Sequence, residues 1–236
     1  MDLKGLELTW LGHAAVRLRL AGGITIYLDP WLTGNPSCPE QEQHPERADA
    51  VFLTHGHGDH FGDTLDLAVR LGAEVFCMNE IAGHLSRRGA SRVVGLNKGG
   101  TVTGPAGVRG TMVDAVHSGS IDDDGQIAYG GEPAGWVLAF PGGPTLYHAG
   151  DTMIFGDMAL IGELWAPDIA FLPIGGHYTM DPPQAARAAR MLGVAAVVPI
   201  HYGTFPVLTG TPRQLAEALA GDVEVAALTP GVPVGG

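Results

Sequence analysis

The amino-acid sequence predicts a mixed α/β fold in which sheet packs against helices. Two observations carry that prediction. The first thirty residues hold only short apolar runs split by glycine turns, whereas the second half alternates such runs with capped helical segments. The bulk properties bound it: 236 residues, 45% hydrophobic and 16% charged, suffice for one substantial core and are few for two. The 36 glycines and 17 prolines are scattered between apolar runs, which indicates many tight turns and no low-complexity linker. The expected organisation is one domain over residues 1-236.

Leu6 to Leu11, Val16 to Leu20 and Ile24 to Leu28 read as three successive strands, parted by Gly12-His13-Ala14-Ala15 and Ala21-Gly22-Gly23. The third stops at Asp29-Pro30, because proline cannot donate to a ladder. A polar loop runs to Asp49, and Ala50 to Thr54 is a continuous apolar run of the kind buried on both faces. Beyond residue 60, Phe61, Leu65, Ala68, Val69 and Leu71 recur at helical spacing, with Gly72 as the stop. In the second half, Thr111 to Ala115, Trp136 to Phe140, Leu146 to His148, Ile169 to Leu172 and Val197 to Ile200 read as strands. A helix opens with Asp181 as N-cap, Pro182 in its first position and Gln184 at capping-box spacing, and Gly193 follows its last turn. A shorter helix covers Pro212 to Leu219. Residues 118-135, with Asp122-Asp123-Asp124-Gly125 and Gly130-Gly131, read as a solvated hairpin or a mobile loop.

The chemistry concentrates in Thr54-His55-Gly56-His57-Gly58-Asp59-His60, where three imidazoles and a carboxylate crowd a strand-to-helix connection. Such donors hold transition metals, zinc above all. Gly56 and Gly58 are expected to allow the sharp turns that bring close-spaced side chains onto shared ions. His117, Asp151 and His201 each lie at or just beyond a predicted strand end, so they can converge on one rim of a sheet. Cys38 and Cys77 form no CxxC pair, and thiolate ligation is not expected.

The net charge of −12 repels a phosphate backbone, which argues against nucleic acid as a partner and for a small-molecule substrate. No apolar stretch is long enough for a bilayer and the first residues lack a signal-peptide core, so the cytoplasm is the expected compartment. A homo-oligomer is compatible with so compact a chain, although no interface signature stands out.

These motifs resemble the metallo-β-lactamase-fold hydrolase superfamily, and within it a group of small metal-dependent hydrolases. That group is related to the ascorbate-phosphate lactonases and the N-acylphosphatidylethanolamine phospholipases. Beside the histidine-rich segment, the likeness runs in order through Trp10-Leu11-Gly12-His13-Ala14, Leu28-Asp29-Pro30 and Ala115-Val116-His117-Ser118. It continues through Tyr147-His148-Ala149-Gly150-Asp151-Thr152, Leu172-Pro173-Ile174-Gly175 and Pro199-Ile200-His201-Tyr202.

The resemblance implies a four-layer αββα sandwich with a two-metal site at one edge. Carried over position by position, it implies His55, His57 and His117 on one ion and Asp59, His60 and His201 on the second. Asp151 bridges them, beside a bridging water or hydroxide. Zinc is the first expectation, while manganese, iron and nickel suit the same donors. Asp59 and His177 are the candidate catalytic groups, with His177 placed to touch substrate or protonate a leaving group. Asp29 is expected to orient a ligand histidine, and His13 and Tyr202 to support the site or line its cleft. His148 is the weaker candidate, and His44 and His84 are expected on the surface.

The implied activity is cleavage of an ester, lactone or phosphodiester by metal-held hydroxide. The superfamily offers two alternatives. Di-iron redox relatives usually carry glutamate where this chain has His57, and RNA-processing nucleases of the same fold are disfavoured by the acidic charge.

Overall fold

The computed structural model describes residues 1–236 and contains two seven-stranded sheets. The first holds β1 (Glu7–Trp10), β2 (Val16–Arg19), β3 (Thr25–Leu28), β4 (Ala50–Phe52), β5 (Glu74–Met78) and β6 (Val93–Leu96), in that order. Its outer edge, beside β1, is closed by β16 (Val234–Gly235). Strands β1 to β3 pair antiparallel and β3 to β6 parallel.

The second sheet is built from β7 (Thr101–Thr103), β8 (Arg109–Asp114), β11 (Ala134–Ala139), β12 (Thr145–His148), β13 (Ile169–Pro173), β14 (Ala196–Ile200) and β15 (Glu224–Val225). Its order is β15-β14-β13-β12-β11-β8-β7, with the β12 to β15 half parallel. A separate hairpin, β9 (Ser120–Asp123) and β10 (Gln126–Tyr129), leaves the second sheet after β8. Six helices complete the chain: α1 (Gly58–Phe61), α2 (Thr64–Arg70), α3 (Asn79–Arg87), α4 (Met158–Trp165), α5 (Pro182–Leu192) and α6 (Pro212–Leu219).

The layering follows from the period-2 alternation of strand side chains. Trp136, Leu138, Phe171, Val198 and Ile200 join the large core that also contains Leu8, Ile26 and Phe52 of the first sheet. Their neighbours Val137, Ala170, Leu172 and Val197 face the other way, into a second core with residues of α4, α5 and α6. The first core also takes Leu67 from α2 and Ile81 and Leu85 from α3. The helix–sheet–sheet–helix order is the four-layer sandwich that the resemblance implies. Across the middle, the Trp136 indole N–H donates to the Leu53 carbonyl at 2.9 Å, while Phe52 stacks on Phe76 at 4.7 Å.

The caps of α5 match their sequence signals, since Asp181 Oδ1 accepts from the Gln184 N–H at 2.9 Å and Gly193 closes the helix with φ 67°. The continuous helix expected after the histidine-rich segment is instead two pieces. Gly62 breaks it, with φ 37° and ψ −119°. A Cβ there would meet Trp31 Cα and lie 2.6 Å from the Pro30 carbonyl oxygen. The Asp63 side chain then accepts from the Leu32 and Thr33 N–H groups at 2.8 and 2.9 Å. The break therefore lets α1 tuck His60 beneath the loop that follows β3.

Within residues 118-135, residues 120–129 form the β9–β10 hairpin, whose tip is tied to the end of α3 by Arg88 at 3.3 Å from Asp123 and 3.2 Å from Asp124, and 134–135 already belong to β11. His44 is exposed, as expected. His84 corrects the expectation of a surface position. It lies on the inner face of α3, 5% exposed, with its ring 6.0 Å from Phe61. No helix is long and apolar enough to cross a membrane.

Candidate metal centre

Each prominent histidine or acid sits where a strand has just ended. Asp29 follows β3, His117 lies three residues past β8, Asp151 three past β12, and His201 directly follows β14. His55 begins three residues past β4 and His13 occupies the turn between β1 and β2. These ends come from both sheets and meet at one edge of the sandwich. Sharp turning there has a cost, because His13, Asp29 and His201 hold φ of 52°, 45° and 55°, which side chains bearing a Cβ rarely adopt.

The donor atoms of His55, His57 and His117 lie within 4.8 Å of one another. Those of Asp59, His60 and His201 do so as well, together with His13. Asp151 reaches both groups: Oδ1 is 3.2 Å from His60 Nε2, while Oδ2 is 3.0 Å from His201 Nε2 and 3.6 Å from His117 Nε2. Two donors about 2.1 Å from a tetrahedral ion stand about 3.4 Å apart, which these separations bracket.

Two buried atoms make the fit to a cation specific. His60 Nε2 and Asp151 Oδ1, although 3.2 Å apart, have no hydrogen-bond partner. Leaving each unsatisfied costs about 1–3 kcal/mol, which an ion bound by both removes.

A proton inventory explains how the donors are aimed. Asp29 is fully buried and accepts from the Thr54 N–H at 2.8 Å, the Thr54 hydroxyl at 2.7 Å and His60 Nδ1 at 2.7 Å. Having given its only proton to Asp29, the Thr54 hydroxyl accepts from His55 Nδ1, 3.0 Å away. Both His55 and His60 thereby engage Nδ1 and turn Nε2 toward the cluster. His13 donates from Nε2 to Asp59 Oδ2 at 3.1 Å, and its Nδ1 shares a hydrogen bond with the Thr204 hydroxyl at 2.8 Å. His148 is taken up elsewhere, donating to the Ala14 carbonyl at 3.0 Å and accepting the Gly150 N–H at 3.2 Å.

The two groups differ in charge. Burial holds His55 far below the ordinary imidazole pKa and lowers His57 and His117, so all three are neutral. Burial also lowers His13, to about 4. It works in the same direction on His201 and His60, but there it is outweighed. The carboxylates of Asp151, 3.0 Å from its Nε2, and Asp59, 3.8 Å away, lift His201 to about 9, and Asp151 with Asp29 lifts His60 well above 6.5. Burial opposes ionisation of Asp151, yet His201 and His60 keep it well below the usual carboxylate range.

A pH dependence follows for the metal-free protein. A histidine titrating near 9 when folded and 6.5 when unfolded stabilises fully below pH 6.5 and loses that contribution as pH rises through 9. The melting temperature of chelator-treated protein should therefore fall from pH 6.5 to above 9. That of metal-loaded protein should stay level over this range, because ligation uses neutral imidazole.

A cleft of about 480 Å³ opens over the cluster. His57, Asp59, His117, Asp151 and His201 form its floor, and Ser118, Tyr178 and Phe205 its walls. Two candidates for this cleft are not found in it. His177 is exposed beyond β13 with its ring against Tyr178 at 4.4 Å, because the tight turn closed by the Tyr178 N–H on the Gly176 carbonyl brings Tyr178 to the wall instead. Tyr202 is half-buried and stacks on Trp10 at 5.3 Å, giving packing support. Gly56 holds no positive φ; its role is close approach, since a Cβ would lie 2.5 Å from the Ser120 carbonyl oxygen of β9. Gly58 has open space around it. Thr54, Thr204, Trp31, Tyr178 and Phe205 were not among the expected site residues. Only Thr54, adjoining the motif, offered a signal in the sequence.

Comparison with known proteins gives a consistent picture. The beta-lactamase superfamily domain matches residues 25–202. A UPF0173 metal-dependent hydrolase of Koribacter versatilis is 52% identical over 91% of this chain and 92% of its own length. Another, from Rubrobacter xylanophilus, is 46% identical over 99% and 98%. Among solved structures, Igni18, a metallo hydrolase from the hyperthermophilic archaeon Ignicoccus hospitalis, is 37% identical, with a TM-score of 0.84 and 97% of each chain covered.

Proposed function

The chain belongs to the UPF0173 metal-dependent hydrolases of the beta-lactamase superfamily, and from that premise we propose that it binds two divalent ions, zinc foremost, and cleaves an ester, lactone or phosphodiester. In this reading His55, His57 and His117 hold one ion, Asp59, His60 and His201 the other, and Asp151 is shared. The observation that carries it is the buried, unpartnered pair His60 Nε2 and Asp151 Oδ1, two atoms that lack only a cation. When bound, such ions polarise the oxygen under attack and lower the pKa of water from 15.7 to about 7.

The chain's own residues supply orientation. Asp29 and Thr54 fix the tautomers of His60 and His55, so that both donors are ready without reorganisation. Asp59 borders the cleft, and although burial opposes its charge, the hydrogen bond from His13 and the nearby His201 and His60 hold it well below the usual carboxylate range. It therefore stays ionised, and its part is to orient with Oδ2 anchored on His13, not to store a proton. A cleft of about 480 Å³ is the size of a small-molecule site. Histidine-rich donor sets favour zinc, with manganese, iron and nickel as the other candidates.

Elemental analysis of purified protein should find two equivalents of metal. Chelation should abolish hydrolysis of an ester, lactone or phosphodiester, and adding the metal back should restore it. Undiminished turnover in metal-stripped protein would refute the proposal.

A further inference from the structure

We propose that the cleft selects substrates whose group beside the scissile bond is uncharged and apolar or aromatic, and rejects those carrying a second negative charge there. This rests on the two-ion hydrolase reading and narrows its substrate class. Charge is the first argument. Two dications offset by Asp59, Asp151 and a hydroxide leave about +1, all of it in the floor. No lysine or arginine lines the walls to meet a further anion, and the chain as a whole carries −12.

Wall chemistry is the second argument. Phe205 stacks on Trp31 at 5.8 Å and 18°, and stands edge-on to His13 at 5.5 Å, so it is a braced aromatic shelf next to the Asp59 side of the floor. Tyr178, 55% exposed, faces the same space from the loop after β13. Both rings are among the chain's exposed large hydrophobic residues, so each is open to whatever occupies the cleft. An apolar or aromatic substituent is the occupant that gains from both, while the reacting oxygen meets the floor.

Metal-binding hydroxamates test this without turnover. Dissociation constants for metal-loaded protein are measured calorimetrically with acetohydroxamate, phenylacetohydroxamate and the monohydroxamate of succinate. Phenylacetohydroxamate should bind about tenfold or more tighter than acetohydroxamate, and the succinate probe more weakly than either. Phe205→Ala should shrink the phenyl preference to about threefold or less, while Phe205→Leu keeps most of it, because leucine restores apolar area at the same place. The inference is overturned if the three probes bind alike, if the succinate probe binds tightest, or if Phe205→Ala and Tyr178→Ala both leave the preference intact. If acetohydroxamate itself fails to bind, the metal-site reading beneath it falls, and the inference with it.

Discussion

Replacing Asp151 with asparagine is expected to lower bound metal from two equivalents to one or fewer and turnover by about 10³-fold or more. The side chain is 3% exposed, and its two oxygens face His60, His201 and His117, donors drawn from both groups. An amide of the same shape keeps the packing but removes the one negative charge shared by both ion positions. Two dications would then confront each other with Asp59 as the sole carboxylate among their ligands, a repulsion that empties at least one position. Metal analysis and hydrolysis assays read the two effects separately. Full metal occupancy with unchanged turnover would exclude Asp151 as the shared ligand.

Asp29→Ala should have the second-largest effect, and on stability as well as metal. It strips the acceptor from the Thr54 N–H, the Thr54 hydroxyl and His60 Nδ1, all buried. Breaking such a buried hydrogen-bonded pair costs about 3–5 kcal/mol, and losing the orientation of a ligand histidine lowers metal affinity about 10–100-fold. Asp29→Asn separates the two effects. Its carbonyl still accepts the Thr54 N–H, but an amide N–H turned toward His60 Nδ1 forces the histidine proton onto Nε2, where it blocks ligation. The asparagine variant should therefore unfold at a denaturant concentration nearer wild type than the alanine variant while still losing metal. Wild-type metal affinity in both variants would contradict the role given to Asp29.

What the sequence disclosed follows physical lines. Strand-end placement of His117, Asp151 and His201 was visible because strands buried between layers are short apolar runs with abrupt ends. The caps of α5 were visible because Asp181, Pro182 and Gly193 act locally. The break at Gly62 was not, because it is imposed by the approach of Pro30 and Trp31, thirty residues earlier in the chain. The same holds for the exchange of His177 for Tyr178, decided by one tight turn, and for the Thr204 contact to His13, which joins residues 191 apart. Helix α4 is rich in apolar residues yet buries only Met158 and Ile161, so no clean period announced it. The acceptor chain from His55 through Thr54 to Asp29 lay half in view: two of its members adjoin in sequence, and the third is brought in by pairing of β3 with β4.

The central claim is that seven side chains hold two ions sharing Asp151, and anomalous diffraction from metal-loaded crystals, recorded at the metal's absorption edge, tests it most directly. The account predicts two peaks about 3.5–4 Å apart, one among His55, His57 and His117 and the other among Asp59, His60 and His201, each within bonding distance of Asp151. A single peak, or peaks that leave Asp151 unligated, would contradict it.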